Sequence, residues 1–436
     1  MKRTISFQSS DMSRREFIQG TAAIASAFGL GLSQIAQAQD ANPAASGDMR
    51  PVNVAFIGVG AQGFGVDFKR AMNVPGVRMV AICDVYEPNL NRALKDAPNA
   101  TGYKDYRHVM DRKDIDAVLI ATPIIWHSPI AIAALESGKH VFSEKMMAYT
   151  IEDARHMARA AIKNNRILQI GHQRKSSILY NHGWDLIRNK KICGVVTHIR
   201  AQWNRNTSWR RPVPPDTTDK FWNWRLYKET SQGLLAELGS HQIQVVNWYL
   251  ESRPTSVVGL GGIDYWKDGR TVNDNVEVLY EYPNGIKLNY TSLTTNQYDG
   301  YAEQFMGKDG TLIVSEGTGG QFYREPNAPL LDWMKHPVGG KLTGEHKEQG
   351  LLLDPSATKK LNKSGVKVGE MTIEGDVRGK DDYQLEMDNF FNSIRTGAPV
   401  ACTAMDGFEA AVAVIKANEA IAKKSRVVIR DSDYSI

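Results

Sequence analysis

From Val52 onward the chain alternates short, wholly apolar runs with segments of helical spacing. The apolar runs are VNVAFIGVG, VRMVAICD (Val77 to Asp84), DAVLIATP (Asp116 to Pro123), KHVFSEK and ILQIGHQ. Between them lie GFGVDFKRAMN, EPNLNRALKDA, SPIAIAALESG and IEDARHMARAAIKNN. Short buried strands that alternate strictly with helices predict parallel βαβ units with helices on both faces of one sheet. The pattern changes after about residue 195. VVTHIRAQWN, SVVGLGGIDYW, NVEVLYEYPNGIKLNYTSLT and EQFMGKDGTLIV alternate in period two, with Asn284-Gly285 and Asp309-Gly310 at turn positions. This predicts a large open antiparallel sheet built from hairpins. YQLEMDNFFNSIRTG and GFEAAVAVIKANEAIAKKS read as closing helices and RVVI as a last strand, while residues 320–380 show little periodicity.

The expected fold is therefore α/β: an N-terminal parallel-sheet domain over residues 50–172, and an α+β domain with an open antiparallel sheet over 173–436. A length of 436 residues is in keeping with two cores. Residues 1–38 stand apart. Two arginines in SRREFI, Ser13 to Ile18, precede the weakly apolar GTAAIASAFGLGL and then AQA, Ala36 to Ala38. A charged region, an apolar region and a small-residue cleavage site come in the order of an export signal, and the paired arginines match the twin-arginine type. The expected location is the periplasm or another exported compartment. No other segment is long and apolar enough to be read as a membrane span.

Charge narrows the partners. The formal charge of +5 falls to +3 without residues 1–38, which hold four basic and two acidic residues. No basic run tracks along the chain, which argues against nucleic acid. Cys83, Cys193 and Cys402 are odd in number and scattered, so neither a disulfide framework nor a metal-ligand spacing is expected. Glu237, His241 and His182 come nearest to a metal set, but no spacing requires an ion, and no metal is expected.

The first chemical motif is VAFIGVGAQGFGVD, residues 54–67. Gly58-x-Gly60-x-x-Gly63 follows a strand, opens a helix and is followed 21 residues after Gly63 by Asp84 at the end of the second strand. That is the full context of a dinucleotide cradle. Gly58 permits the tight turn, Gly60 the approach of backbone to pyrophosphate, and Gly63 the close packing of helix on strand, with Ala61 and Gln62 in the same loop. Asp84 is placed to accept from the adenosine ribose hydroxyls, and a carboxylate there favours NAD over NADP.

Three further stretches resemble the glucose-fructose oxidoreductase / inositol dehydrogenase (Gfo/Idh/MocA) family. ATPIIWH, Ala121 to His127, is similar to the family's ATPNxxH. SEKMM, Ser143 to Met147, stands where the family has EKP. GLLAELGSHQIQ, Gly233 to Gln244, resembles its acidic-x-Gly-x-His segment. The resemblance covers essentially the whole chain after the leader. It implies cofactor contacts at Thr122, Pro123, His127, Glu144, Lys145 and Gln173, a homo-oligomer, and a small carbohydrate substrate. It also implies Lys145 as the base that takes a hydroxyl proton, with His241 as its partner and Glu237 placed to orient His241. Two departures stand out: Met146 replaces the proline of EKP, and Ile124 replaces the asparagine of ATPN.

Residues 203–225 concentrate Trp203, Trp209, Trp222 and Trp224, four of the nine tryptophans, with Arg205, Arg210, Arg211 and Arg225. Indole faces stack on sugar rings and guanidinium forks bind hydroxyls or carboxylates, so this segment, with Arg174, is a candidate substrate wall. A domain core would use the same residues. The expected activity is hydride transfer between a sugar carbinol and tightly held NAD. The alternatives are a redox-neutral, NAD-dependent glycosidase and a sugar- or NAD-binding sensor without turnover. No pair of carboxylates suggests ordinary glycoside hydrolysis.

Overall fold

The computed structural model describes residues 50–329, 350–353, 366–368, 371–373 and 380–436. The export signal read at 1–38 lies outside the described residues, as does much of 320–380. Strands β1 (Val52–Ile57), β2 (Val77–Cys83), β3 (Thr101–Tyr103), β4 (Ala117–Ile120), β5 (His140–Glu144) and β6 (Leu168–Gly171) form one sheet. It is parallel throughout, in the order β3-β2-β1-β4-β5-β6. The order reverses between β1 and β4, and ligands of such sheets bind in the crevice at that point, beyond the carboxyl ends of the strands. β4 is buried at every position, as a strand covered on both faces must be.

The second sheet has nine strands: β7 (Val196–Asn204), β8 (Ser256–Gly262), β9 (Asn275–Glu281), β10 (Lys287–Leu293), β11 (Tyr301–Gly307), β12 (Gly310–Ser315), β13 (Gly319–Arg324), β14 (Gly350–Leu353) and, beyond the small hairpin β15 (Val366–Val368) and β16 (Met371–Ile373), β17 (Val427–Val428). Their order is β14-β13-β12-β11-β7-β10-β9-β8-β17. The expectation of a wholly antiparallel sheet needs one correction. β10 runs parallel to β7, with Leu288 opposite Ile199 and Tyr290 opposite Ala201. β7 is the first strand of this domain, and later strands add on both of its sides. The strands from 320 to 324 and 350 to 353 pair with each other, so these parts of the aperiodic stretch are strand.

One face of this sheet is covered by helices, above all Ala404–Lys423 and Ser240–Leu250. The strands alternate accordingly, and the other face carries exposed Val258, Leu260, Leu279 and Val428. Helix Asp382–Thr396, near the far end of the sequence, does not join this layer. It lies on the first domain, where Met387, Phe390 and Phe391 are buried with Val54, Phe56, Phe68 and Phe142 in one cluster. The rings of Phe142 and Phe390 meet edge to face at 5.9 Å. Arg70 holds Asp381, the cap of this helix, at 2.6 Å. Burial of large side chains of this kind contributes about 1.5–3 kcal/mol each.

The first domain turns on contact between two glycines. Gly58 has φ +90, and a Cβ built on Gly63 would lie 2.1 Å from the Gly58 carbonyl oxygen. Backbone cannot move aside as a flexible side chain can. Gly63→Ala is therefore expected to lower stability by about 1–3 kcal/mol, the range for overpacking, read as a lower urea midpoint; an unchanged midpoint would mean that the loop and helix do not pack this closely.

Candidate functional site

A cleft of about 500 Å³ opens at the carboxyl ends of β1, β4 and β5 and is closed on its far side by residues from the second domain. Ala61 and Gln62 enter it from the glycine loop, Ala121, Thr122 and Ile124 from the turn after β4, and Glu144 and Lys145 from the end of β5. Helical turns of the wide, π type flank it on both sides. One, Gly63–Phe68, follows the glycine loop; the other, Leu235–Gly239, runs into helix Ser240–Leu250. Such turns concentrate at functional sites.

At the glycine-loop end the backbone is fixed tightly and leaves room. A Cβ on Gly58 would meet the Ala121 carbonyl group at 2.8 Å, whereas a Cβ on Gly60 would have nothing within 4 Å. Side-chain-free backbone facing open space is what the pyrophosphate of a dinucleotide requires. The carboxylate of Asp84 accepts from the backbone N–H of Val59 (2.9 Å) and of Tyr86 (2.8 Å), and Arg92 donates to the Val59 carbonyl (2.8 Å). Burial raises the Asp84 pKa above its ordinary value against these two backbone hydrogen bonds. Asp84 thus shapes the loop itself, and the remaining lone pairs of its carboxylate are what a ribose would meet. Thr122 presents a buried hydroxyl without a partner at the same rim.

At the other end stand Lys145, Glu237 and His241. The Lys145 ammonium donates to the Glu237 carbonyl oxygen at 3.0 Å and lies 4.0 Å from its carboxylate. Glu237 is 6% exposed and also accepts from Arg225 Nε (2.9 Å) and Ser231 Oγ (3.3 Å). Burial pushes its pKa up, but Arg225 and Lys145 outweigh burial and hold it below the usual carboxylate range. His241 is held well below its ordinary pKa by burial first, then by Lys145, Arg174, His172 and Arg205, so its ring is neutral. Its Nδ1 has no partner. Glu237 and His241 do line the same cleft, but the hydrogen bonds of Glu237 go to Arg225 and Ser231 rather than to His241. The peptide bond Lys145–Met146 is cis, although Met146 stands where the family motif has proline.

The tryptophan-rich segment forms the outer wall. Trp203, Trp209, Trp222 and Trp224 all line the cleft, with Arg205, Arg210, Arg211 and Arg225. Trp203 stacks on Tyr301 at 4.7 Å and packs against His241 at 5.4 Å. Arg210 is engaged by Asp219 (2.6 Å) and Asp268 (3.1 Å), which ties the wall together. Tyr86, two residues past Asp84, meets Trp222 edge to face at 5.5 Å, so the wall reaches across to the first domain.

Other expected site residues lie behind this surface. Arg174 is fully buried and committed to Glu303 and Glu316, so it supports Trp203 from the rear instead of facing the cleft. Gln173 donates to Glu316 at 3.1 Å. His127 sits with Nδ1 2.9 Å from the Met146 carbonyl oxygen and Nε2 2.8 Å from that of Thr122. It joins the turn after β4 to the one after β5, and Pro123 belongs to the first of these turns. Three features carried no motif. Tyr383 reaches the cleft from the first turn of helix Asp382–Thr396. His172, 1% exposed and with neither ring nitrogen partnered, meets His241 edge to face at 5.8 Å. Behind Glu144 lie two more buried acids, Asp67 and Glu386.

Comparison with known proteins bears on the family and the fold. The family description "Oxidoreductase family, NAD-binding Rossmann fold" matches residues 52–172, and "Oxidoreductase family, C-terminal alpha/beta domain" matches residues 191–429. The chain belongs to the Gfo/Idh/MocA oxidoreductase family. Its first domain is an NAD-binding Rossmann domain. A glycosyl hydrolase family 109 protein of Shewanella baltica (strain OS195) is 32% identical over 197 residues, 42% of this chain and 41% of that protein. The match thus spans about two-fifths of that relative. Among solved structures, levoglucosan dehydrogenase in complex with NADH and levoglucosan superimposes with a TM-score of 0.68 at 19% identity, over 87% of this chain and 100% of that one. Aldose-aldose oxidoreductase from Caulobacter crescentus, complexed with glycerol, gives 0.66 at 18% identity, over 87% and 100%. These likenesses are of fold.

The buried acids make a pH prediction. Both Glu386 carboxyl oxygens are buried without a hydrogen-bond partner. Burial first, and then the charge of Glu144, raises the pKa of Glu386 and of Asp67. Above about pH 4.3, the unfolded value, the unfolded chain releases the Glu386 proton while the folded chain keeps it, so this group costs stability as pH rises towards its folded pKa. Glu386→Gln removes that loss. Its stability relative to the parent protein is expected to increase as pH rises above about 4.3 in urea titrations; a difference that does not change with pH would show that Glu386 does not titrate in this way.

Proposed function

We propose that this protein is an exported oxidoreductase that transfers a hydride between a carbinol carbon of a sugar or sugar derivative and tightly held NAD. The observation that carries the reading is the convergence of Lys145, Glu237 and His241 in the cleft that the glycine loop enters, beside a wall of tryptophans. Bound NAD supplies the hydride acceptor. Lys145, placed by the contact of Nζ with the Glu237 carbonyl oxygen, takes the proton of the reacting hydroxyl when it has given up its own and stands as the neutral amine. His241, neutral through burial and neighbouring cations, accepts a hydrogen bond from that hydroxyl or passes its proton on. Glu237 is the carboxylate that Lys145 and Arg225 share, and it keeps the two side chains in register. The tryptophans exclude water and offer faces for the apolar side of a sugar ring.

Export by the twin-arginine route, which moves folded proteins, suits an enzyme that takes up its cofactor before leaving the cytoplasm. Asp84 supports NAD over NADP. A cofactor that cannot exchange with a cytoplasmic pool must be regenerated in the site, either by a second sugar or within one reaction. The family 109 relatives favour the second case as an alternative reading. There a sugar carbon is oxidised transiently, the neighbouring proton is removed, the aglycone is eliminated, water adds, and the ketone is reduced again.

Lys145→Ala and His241→Ala are each expected to lower kcat by about 10²- to 10⁴-fold, the range for acid–base groups, while denaturation still releases bound nucleotide. A persistent NADH absorption band on adding free sugars supports the oxidoreductase. Release of aglycone from aryl glycosides without a lasting band supports the glycosidase, and full activity in either variant would remove Lys145 or His241 from the chemistry.

A further inference from the structure

The charges around the cleft do not balance. Arg174 is paired with Glu303 and Glu316, Arg210 with Asp219 and Asp268, and Arg225 with Glu237, whose carboxylate Lys145 shares at 4.0 Å. Arg205 and Arg211 line the same cleft, and among the described residues neither is paired with a carboxylate. Arg205 is half-buried with its Nε unpartnered, and its guanidinium lies over the rings of Trp203 (5.1 Å) and Trp209 (5.5 Å). Arg211 stands at the rim, where the Asn223 side chain holds its backbone from both sides, at 2.8 and 3.0 Å. Burial, and then the like charge of Arg225, depresses the pKa of Arg211. Burial also depresses that of Arg205. A cation partly withdrawn from water without a carboxylate partner is costly, as for Arg205, while Arg211 stands exposed at the rim of the same cleft.

Their position separates two possible anions. Trp203, on which Arg205 rests, packs against His241. Arg211 faces Arg225, which holds Glu237 beside Lys145. Arg205 therefore belongs to the end where the carbinol would react, and Arg211 adds a second cation at the rim of the same cleft. We propose that the substrate is an anionic sugar, bearing a carboxylate, sulfate or phosphate that Arg205 and Arg211 grip while its carbinol faces Lys145 and His241. This rests on reading the cleft as a sugar oxidoreductase site. A hydroxyl group would fill a hydrogen bond but leave two charges uncompensated, whereas an oxyanion matches the planar donors of both forks.

The full chain loaded with NAD would be titrated with a neutral sugar and with its uronate, sulfate and phosphate counterparts. Quenching of the four cleft tryptophans reports binding, and the NADH band reports hydride transfer. One anionic form is expected to bind about 10- to 100-fold more tightly than the neutral parent, as charged hydrogen bonds allow, and to weaken with added salt. Which counterpart binds identifies the anion. Arg211→Gln, at the exposed rim, should remove about tenfold of that preference without lowering Tm; Arg205→Gln should remove more, and Arg205→Lys should restore part of it. Equal affinity for neutral and anionic forms, with an NADH band, overturns this proposal and leaves the oxidoreductase reading standing. Tight binding of an anionic form with neither an NADH band nor aglycone release keeps the anion site and overturns the redox reading. No binding by any member of the series overturns both.

Discussion

A single buried carboxylate, that of Glu237, joins the parts that must meet for this cleft to exist. It takes Arg225 from the tryptophan-rich wall and Lys145 from the end of β5, while its own backbone carbonyl holds the Lys145 ammonium. Removing the Glu237 carboxylate would leave Lys145 and Arg225 together without their shared partner, and such a loss is expensive. The cleft is therefore held together by charge as well as by shape. Ser231 completes the set by donating to the second carboxylate oxygen.

This balance explains why the polar residues of the site fall into two kinds. Arg174, Arg210 and Arg225 have acidic partners and act as framework, since their guanidinium planes fix the elements around them. Lys145 and His241 face the reacting end with their chemistry still open: a shared carboxylate for the first, an unpartnered Nδ1 for the second. His172 stands behind His241 as a second neutral ring, its pKa pushed down to about 3 by burial and by the charges of Lys145, Arg174 and Lys175. Burial keeps both histidines neutral first, and the charges of Lys145 and Arg174 act on both in the same direction.

Much of this was legible along the chain, for a local reason. Five of the six strands of the first sheet are short apolar runs that announce themselves without reference to their neighbours, and the glycine loop is defined within six residues. The edge strand β3, Thr101–Tyr103, carries no apolar run and is marked only by its pairing with β2. Gly58 and Gly63 touch, and their spacing already implied it. What could not be read depends on distant partners. The parallel pairing of β7 with β10 is a choice between strands some ninety residues apart, and period-two alternation is blind to it. Arg174 and Arg205 are both arginines near a strand end or an aromatic run; only the arrival of Glu303 and Glu316 turns the first into buried framework. Tyr383 belongs to a helix whose pattern suggested closure of the second domain, and nothing local marks it as a neighbour of Glu144. The leader and the wider 320–380 stretch lie outside the described residues, except for the short strands noted above.

Helix Asp382–Thr396 also bears on the order in which the molecule can form. Met387, Phe390 and Phe391 complete the apolar cluster around β1, and Asp381 is held by Arg70. During synthesis the first domain therefore emerges long before the side chains that finish its core. Until residue 391 has left the ribosome, Val54, Phe56 and Phe142 lack part of their covering, and an apolar groove stays open on an otherwise assembled sheet. The nucleotide-binding half is thus first to be made but receives part of its core from near the far end of the chain, so its finished core is a property of the whole polypeptide.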